Sequence, residues 1–124
     1  MTWTVQGTVE FEAWFGALTE SERKSVIRTM YLLEVYGPQL GHPHSSKVFG
    51  SRHPQMRELR IQHSGRPYRV LYGFDPRRAA VLLLGGDKTG SSRWYEESIR
   101  AADRLFQRHL DELKKKEQEE EDAG

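Results

Sequence analysis

The chain is 124 residues long, 36% apolar and 30% charged, with no cysteine. That length fits one domain with one core, and the missing thiols exclude disulfides, thiolate metal centres and a cysteine nucleophile. No apolar run approaches the roughly 18 residues of a membrane helix, and residues 1–5 lack the segments of a secretory signal, so a cytoplasmic protein without membrane partners is expected.

The net charge of +1 conceals an asymmetry. Residues 1–41 are net −2, residues 94–110 are neutral and residues 111–124 are net −4. Residues 42–93 hold ten bases against three acids, and eight of those bases are arginines. A basic region on a small domain is the electrostatic footprint of a nucleic-acid binder. The planar guanidinium fork is suited to phosphate.

Residues 3–5 alternate as a short first strand. Phe11, Trp14, Phe15 and Leu18 then recur at helical spacing and form the core face of a short helix. Thr19 and Glu22 spell a capping box. It opens a second helix that passes Val26, Ile27, Met30, Leu32 and Leu33 and stops at Gly37-Pro38. The near-contiguity of the two predicts an antiparallel helical hairpin. Residues 39–55 are irregular, with a short strand at 47–49. His42 and His44 lack a third ligand at convincing spacing and are expected to be loop histidines.

Residues 56–63 form a strand with Leu59 and Ile61 on one face and Glu58, Arg60 and Gln62 on the other. Ser64-Gly65 turns the chain into a second strand, 68–74. Asp75-Pro76-Arg77-Arg78 turns it again. The apolar run 79–84 is expected to be buried on both faces and to end at Gly85-Gly86. Short turns make these three strands an antiparallel meander. His63 is expected in a surface turn. A polar loop, 87–93, leads to a last helix whose inner side carries Ile99, Ala102, Phe106, His109, Leu110 and Leu113. Residues 114–122 have charge but no apolar anchor, and are expected to be a fraying, solvated tail. The predicted architecture is α+β: an N-terminal helical hairpin and a C-terminal helix on a small, mainly antiparallel sheet. The domain spans 1–113 and the charged tail 114–124.

Three residues stand out chemically. Arg69 lies in an apolar strand and needs an anionic partner, either Glu58 or a bound phosphate. Lys88 follows two glycines that allow a ligand close to the backbone, although the spacing is not that of a P-loop. Tyr95 brings a phenol to the same region.

Several segments together carry a resemblance. They are Lys47-Val48-Phe49, Arg57-Glu58-Leu59-Arg60, Arg69-Val70-Leu71-Tyr72, Phe74-Asp75-Pro76-Arg77, Leu83-Leu84-Gly85-Gly86-Asp87-Lys88-Thr89-Gly90 and Trp94-Tyr95-Glu96. In order and spacing they resemble the phage-derived Gp49-like, HigB-type proteins of the RelE/ParE toxin superfamily, over residues 3–113. The resemblance implies a ribosome-dependent mRNA endonuclease, and no cofactor or metal is expected. It also implies a cognate antitoxin, usually a helix-turn-helix protein encoded beside the toxin.

Carried over singly, Arg60 matches a basic position on the first middle strand, and Arg69 the arginine after an aromatic residue on the next. Lys88 matches the basic residue after the glycine of the last strand, and Tyr95 the late tyrosine. Glu58 departs from the pattern, because the best-known branch has a lysine there. The expected reaction is attack of a 2′-hydroxyl on the adjacent phosphate. Arg60 and Arg69 would stabilise charge. Lys88 would hold the phosphate or protonate the leaving oxygen, and Tyr95 would orient a base or move a proton. Glu58 is either a general base or a salt-bridge partner of Arg69. Lys47, Arg57, Arg66 and Arg93 are expected to contact RNA. Two rival expectations keep the fold: a ParE-like inhibitor of DNA gyrase that cuts nothing, and an inactive RNA-binding, phage-related protein.

Overall fold

The computed structural model describes residues 2–88 and 93–124. Residues 89–92, part of the expected polar loop, lie outside the described residues, as does Met1. In chain order the elements are β1 (Thr4–Gly7), α1 (Val9–Gly16), α2 (Glu20–Tyr36), β2 (Ser45–Lys47), β3 (Arg57–His63), β4 (Arg66–Phe74), β5 (Ala79–Asp87) and α3 (Arg93–Ala123). A single 3-10 turn, Gly37–Gln39, follows α2. The sheet order is β1-β5-β4-β3-β2. The predicted meander is present as β3, β4 and β5, with β2 antiparallel at its edge. β1 joins the far edge in parallel with β5, which makes the sheet mixed. A four-residue strand carries no signal for its partner. The architecture is α+β, as expected.

Local chemistry fixes the boundaries. Thr8 caps α1 by accepting from the Phe11 amide at 3.0 Å, and its hydroxyl donates to the Leu83 carbonyl at 2.8 Å, tying the helix start to β5. Thr19 and Glu22 form the predicted capping box. Gly37 ends α2 at φ +55°, and any Cβ there would lie 2.3 Å from the Trp3 indole. Ser64 and Gly65 both have positive φ, 50° and 78°, the mirror-image turn that matches strand twist in a two-residue hairpin. Asp75 accepts from the Arg77 and Ala79 amides and holds the β4–β5 turn.

The helices divide between the sheet faces. α1 lies over β5 and α2 over β3, while α3 crosses β4 and β5 on the opposite side. Strand alternation sends Leu59, Ile61, Tyr68, Val70, Tyr72, Ala80 and Leu82 into the first core, with Phe11, Val26 and Leu33. Met56, Leu71, Val81 and Leu83 enter the second, with Ile99, Ala102 and Phe106. Ala79 to Leu83 are all buried, as the apolar run predicts.

Three boundaries differ from expectation. β2 lies two residues early, at Ser45–Lys47, because Val48 turns inward to the second core. β5 does not stop at Gly85-Gly86 but continues to Asp87, after a register shift opposite Leu71 and Tyr72. The two glycines admit tryptophans rather than a ligand. A Cβ on Gly85 would lie 2.3 Å from Trp14, and one on Gly86 2.1 Å from Trp94. Finally, α3 remains helical to Ala123. Its packing nevertheless stops where its apolar face does, since residues 114–124 are all exposed. Among the described residues, no helix is long and apolar enough to cross a membrane.

A polar cluster joins α2 to the sheet. The Tyr68 phenol donates to the Glu22 carboxylate. His63 is not in a turn but ends β3, with Nδ1 2.7 Å from the Ser25 hydroxyl. Glu22 is held down from 4.5 to about 2, first by the Tyr68 phenol and then by the Thr19 amide. A depressed carboxylate contributes stability above its unfolded value and loses it as pH falls toward the folded one. Tyr68→Phe is therefore expected to cost a constant amount above pH ~5. The cost should shrink between about pH 4.5 and 2, as followed by urea denaturation at stepped pH. A difference unchanged across that window would place the linkage elsewhere.

Candidate functional site

The face of the sheet that receives α3 carries charge beyond the reach of the second core. Arg60 on β3 and Arg69 on β4 are direct cross-strand partners. Like charges at opposed positions repel, and Glu58, two residues before Arg60, supplies the compensation. Its Oε1 accepts from Arg60 Nη1 at 3.0 Å and lies 3.8 Å from Arg69 Nε. The Ser46 hydroxyl on β2 donates to the same oxygen at 3.0 Å.

Depth separates the two arginines. The Arg60 side chain is 32% exposed and the Arg69 side chain only 5%. Arg69 donates through Nη1 to the Tyr68 carbonyl. Its Nε, and Oε2 of Glu58, are buried and have no hydrogen-bond partner among the described residues. Of the two partners expected for Arg69, the structure supplies the carboxylate.

The start of α3 closes this site from above. Tyr95 faces Glu58 and Arg69. Its phenol is pushed above the ordinary value by burial first and by the Glu58 carboxylate next, with Arg69 opposing. It therefore stays protonated at neutral pH and can donate. Lys88, one residue beyond β5, places Nζ 5.4 Å from the centre of the Tyr95 ring, within cation–π range. Trp94, packed over Gly86 opposite Arg69, fixes where α3 begins.

Beside Tyr95 lies a concavity of about 500 Å³, with Glu58 and Arg60 on its floor, Lys47 at its edge and Val48, Phe49 and Ile99 on its wall. The structure thus brings Glu58, Arg60, Arg69, Lys88 and Tyr95 into one neighbourhood, with Lys47 at the rim. It does not bring Arg57 or Arg66 there. Both point to the opposite face: Arg57 donates to the Ser45 hydroxyl, and Arg66 pairs with Asp87 and lies over the Tyr68 ring. Strand alternation carried that signal, since Arg57 shares its face with Leu59 and Arg66 with Tyr68. Arg93 opens α3 and is exposed. Ser46, Val48, Phe49 and Ile99 are lining residues that chemistry read from sequence did not assign to the site.

The profile of the family described as phage derived protein Gp49-like matches residues 13–107. The chain belongs to that family. It is 41% identical over 110 residues to "Putative toxin HigB2" of Mycobacterium tuberculosis, covering 87% of this chain and 54% of that one. It is 46% identical over 102 residues to "Putative toxin HigB3" of the same organism, covering 82% and 88%. The chain therefore spans about half the length of the first relative and most of the second. Among solved structures, a free-state mutant of the toxin RelE of E. coli superposes with TM-score 0.61 at 16% identity, covering 85% of this chain and 99% of that one. The Gp49-like chain is thus similar to the HigB relatives in sequence and to RelE in fold.

Proposed function

We propose that this Gp49-like chain is the toxin of a toxin–antitoxin pair and that it cleaves mRNA on the ribosome in the cytoplasm. The observation that carries the reading is Arg60 and Tyr95 lining one concavity, with Lys88 against the Tyr95 ring and Glu58 and Arg69 facing its phenol. Cleavage follows attack of the 2′-oxygen on the adjacent phosphorus. The hydroxyl proton leaves to solvent, the bond to the 5′-oxygen breaks, and a 2′,3′-cyclic phosphate remains. Arg60 and Lys88 balance the charge that builds on the phosphoryl oxygens. Tyr95, kept protonated, supplies the proton to the departing 5′-oxygen.

Glu58 is too deeply buried to accept the 2′ proton directly, with a side chain 6% exposed. It acts as a positioning residue, orienting Arg60 and sustaining the phenol, and Arg69 supports it from below. A site whose carboxylate is buried and already engaged by Arg60 and Ser46 fits an enzyme that relies on the ribosome to align the RNA. The partner that restrains it is an antitoxin of the helix-turn-helix kind.

The test uses purified chain and mRNA-programmed ribosomes, with cleavage mapped by primer extension. The parent should cut. Arg60→Ala and Lys88→Ala should each slow cutting by about 10²–10³-fold with unchanged thermal midpoints. Parental rates in both variants would reject the assignment. Inhibition of purified gyrase without RNA cleavage would reject the activity in favour of the ParE-like alternative.

A further inference from the structure

Phe49 is 82% exposed, yet it is not a stray apolar side chain. Val48 before it is anchored in the second core, and the chain has left β2 at Lys47, so Phe49 sits on a bend outside the sheet. Gly50 after it, at φ +91°, bends the backbone in a way that larger residues resist. The ring therefore projects at the edge of the concavity, where it extends an apolar wall made with Val48 and Ile99. The opposite side of the same concavity is polar, with Arg60 and the Tyr95 phenol, and Lys47 stands at the rim.

Half apolar ring surface and half cation is the chemistry of a nucleotide, whose base has a flat π-face and whose phosphate is anionic. We propose that Phe49 is a stacking platform for an RNA base next to the scissile phosphate, and so sets part of the substrate preference. The inference rests on the nuclease reading and names a base-binding subsite within it. Stacking needs only a π-face, so the preference among bases is modest, with purines ahead because their rings overlap more. With the phosphate on Arg60, the base falls on the Phe49 side of the concavity.

The experiment compares Phe49→Ala and Phe49→Trp with the parent on programmed ribosomes. Alanine should raise KM by about 5- to 100-fold with kcat and thermal midpoint little changed. Its cleavage map should lose any purine bias. Tryptophan, which stacks at least as well, should restore KM. A separate arm needs no cutting. The fluorescence added by Trp at 49, relative to the parent, should be quenched by a short RNA with a 2′-deoxy sugar at the cleavage position. Parental KM and map in the alanine variant, with no quenching, overturn the subsite while leaving the nuclease intact. Quenching without any cleavage by the parent keeps the base site and rejects the nuclease. An alanine variant that keeps KM but loses affinity for the antitoxin reassigns Phe49 to that protein and overturns the proposal.

Discussion

Glu58→Ala is expected to lower global stability by about 3–5 kcal/mol, read from the urea midpoint at constant m-value. The cause is the charge it strands. With the carboxylate gone, Arg60 can relax into water from a position 32% exposed, but Arg69 at 5% cannot. A buried guanidinium opposite a second cation is then left without compensation. Arg69→Ala should cost less, because Glu58 keeps Arg60 and Ser46. The pair Glu58→Leu with Arg69→Met should recover most of the loss, since well-packed apolar groups can replace a buried ion pair at little cost. A cost below about 1 kcal/mol for Glu58→Ala would show that Arg69 finds another anion or water, and would remove the positioning role assigned to Glu58.

Phe106→Ala should cost about 3–5 kcal/mol, the range for emptying a fully buried phenyl site. Phe106 is 0% exposed and joins α3 to the sheet. A Cβ on Gly73 of β4 would lie 3.0 Å from its ring, and His53 meets it edge-on at 5.0 Å between centroids. Neighbours on β4 and α3 are held by backbone hydrogen bonds and cannot collapse into the space. Because the same helix begins at Trp94 and Tyr95, the loss should appear twice, as a lower thermal midpoint and as slower cleavage below that midpoint. Unchanged cleavage by the folded variant would show that Tyr95 is placed by Trp94 alone.

Much of this was legible in the residues. The capping box, the Asp75-Pro76 turn and the buried run from Ala79 follow from local rules and stand in the structure. Arg69 announced itself as a cation in an apolar strand, and its need for an anion is met by Glu58. What escaped depended on distant chain. The parallel seat of β1 is decided by a strand far downstream, and the space above Gly85-Gly86 by two tryptophans from different helices. Glycine pairs permit close approach but do not say by what. The extension of α3 to Ala123 escaped because helix without a buried face leaves no periodic signal. Phe49 escaped because an exposed aromatic and a core aromatic look alike until the wall beside them is known.

The seam between β1 and β5 has a temporal consequence. Thr8 bonds to Leu83, 75 positions along the chain, and Tyr95 and Phe106 follow later still. A nascent polypeptide therefore cannot complete the sheet until Leu83 has been translated, or the cleft that α3 roofs until Phe106 has. Interrupted synthesis before Phe106 yields fragments without the assembled cleft, so whatever that cleft binds is met only by the folded sheet and helix together.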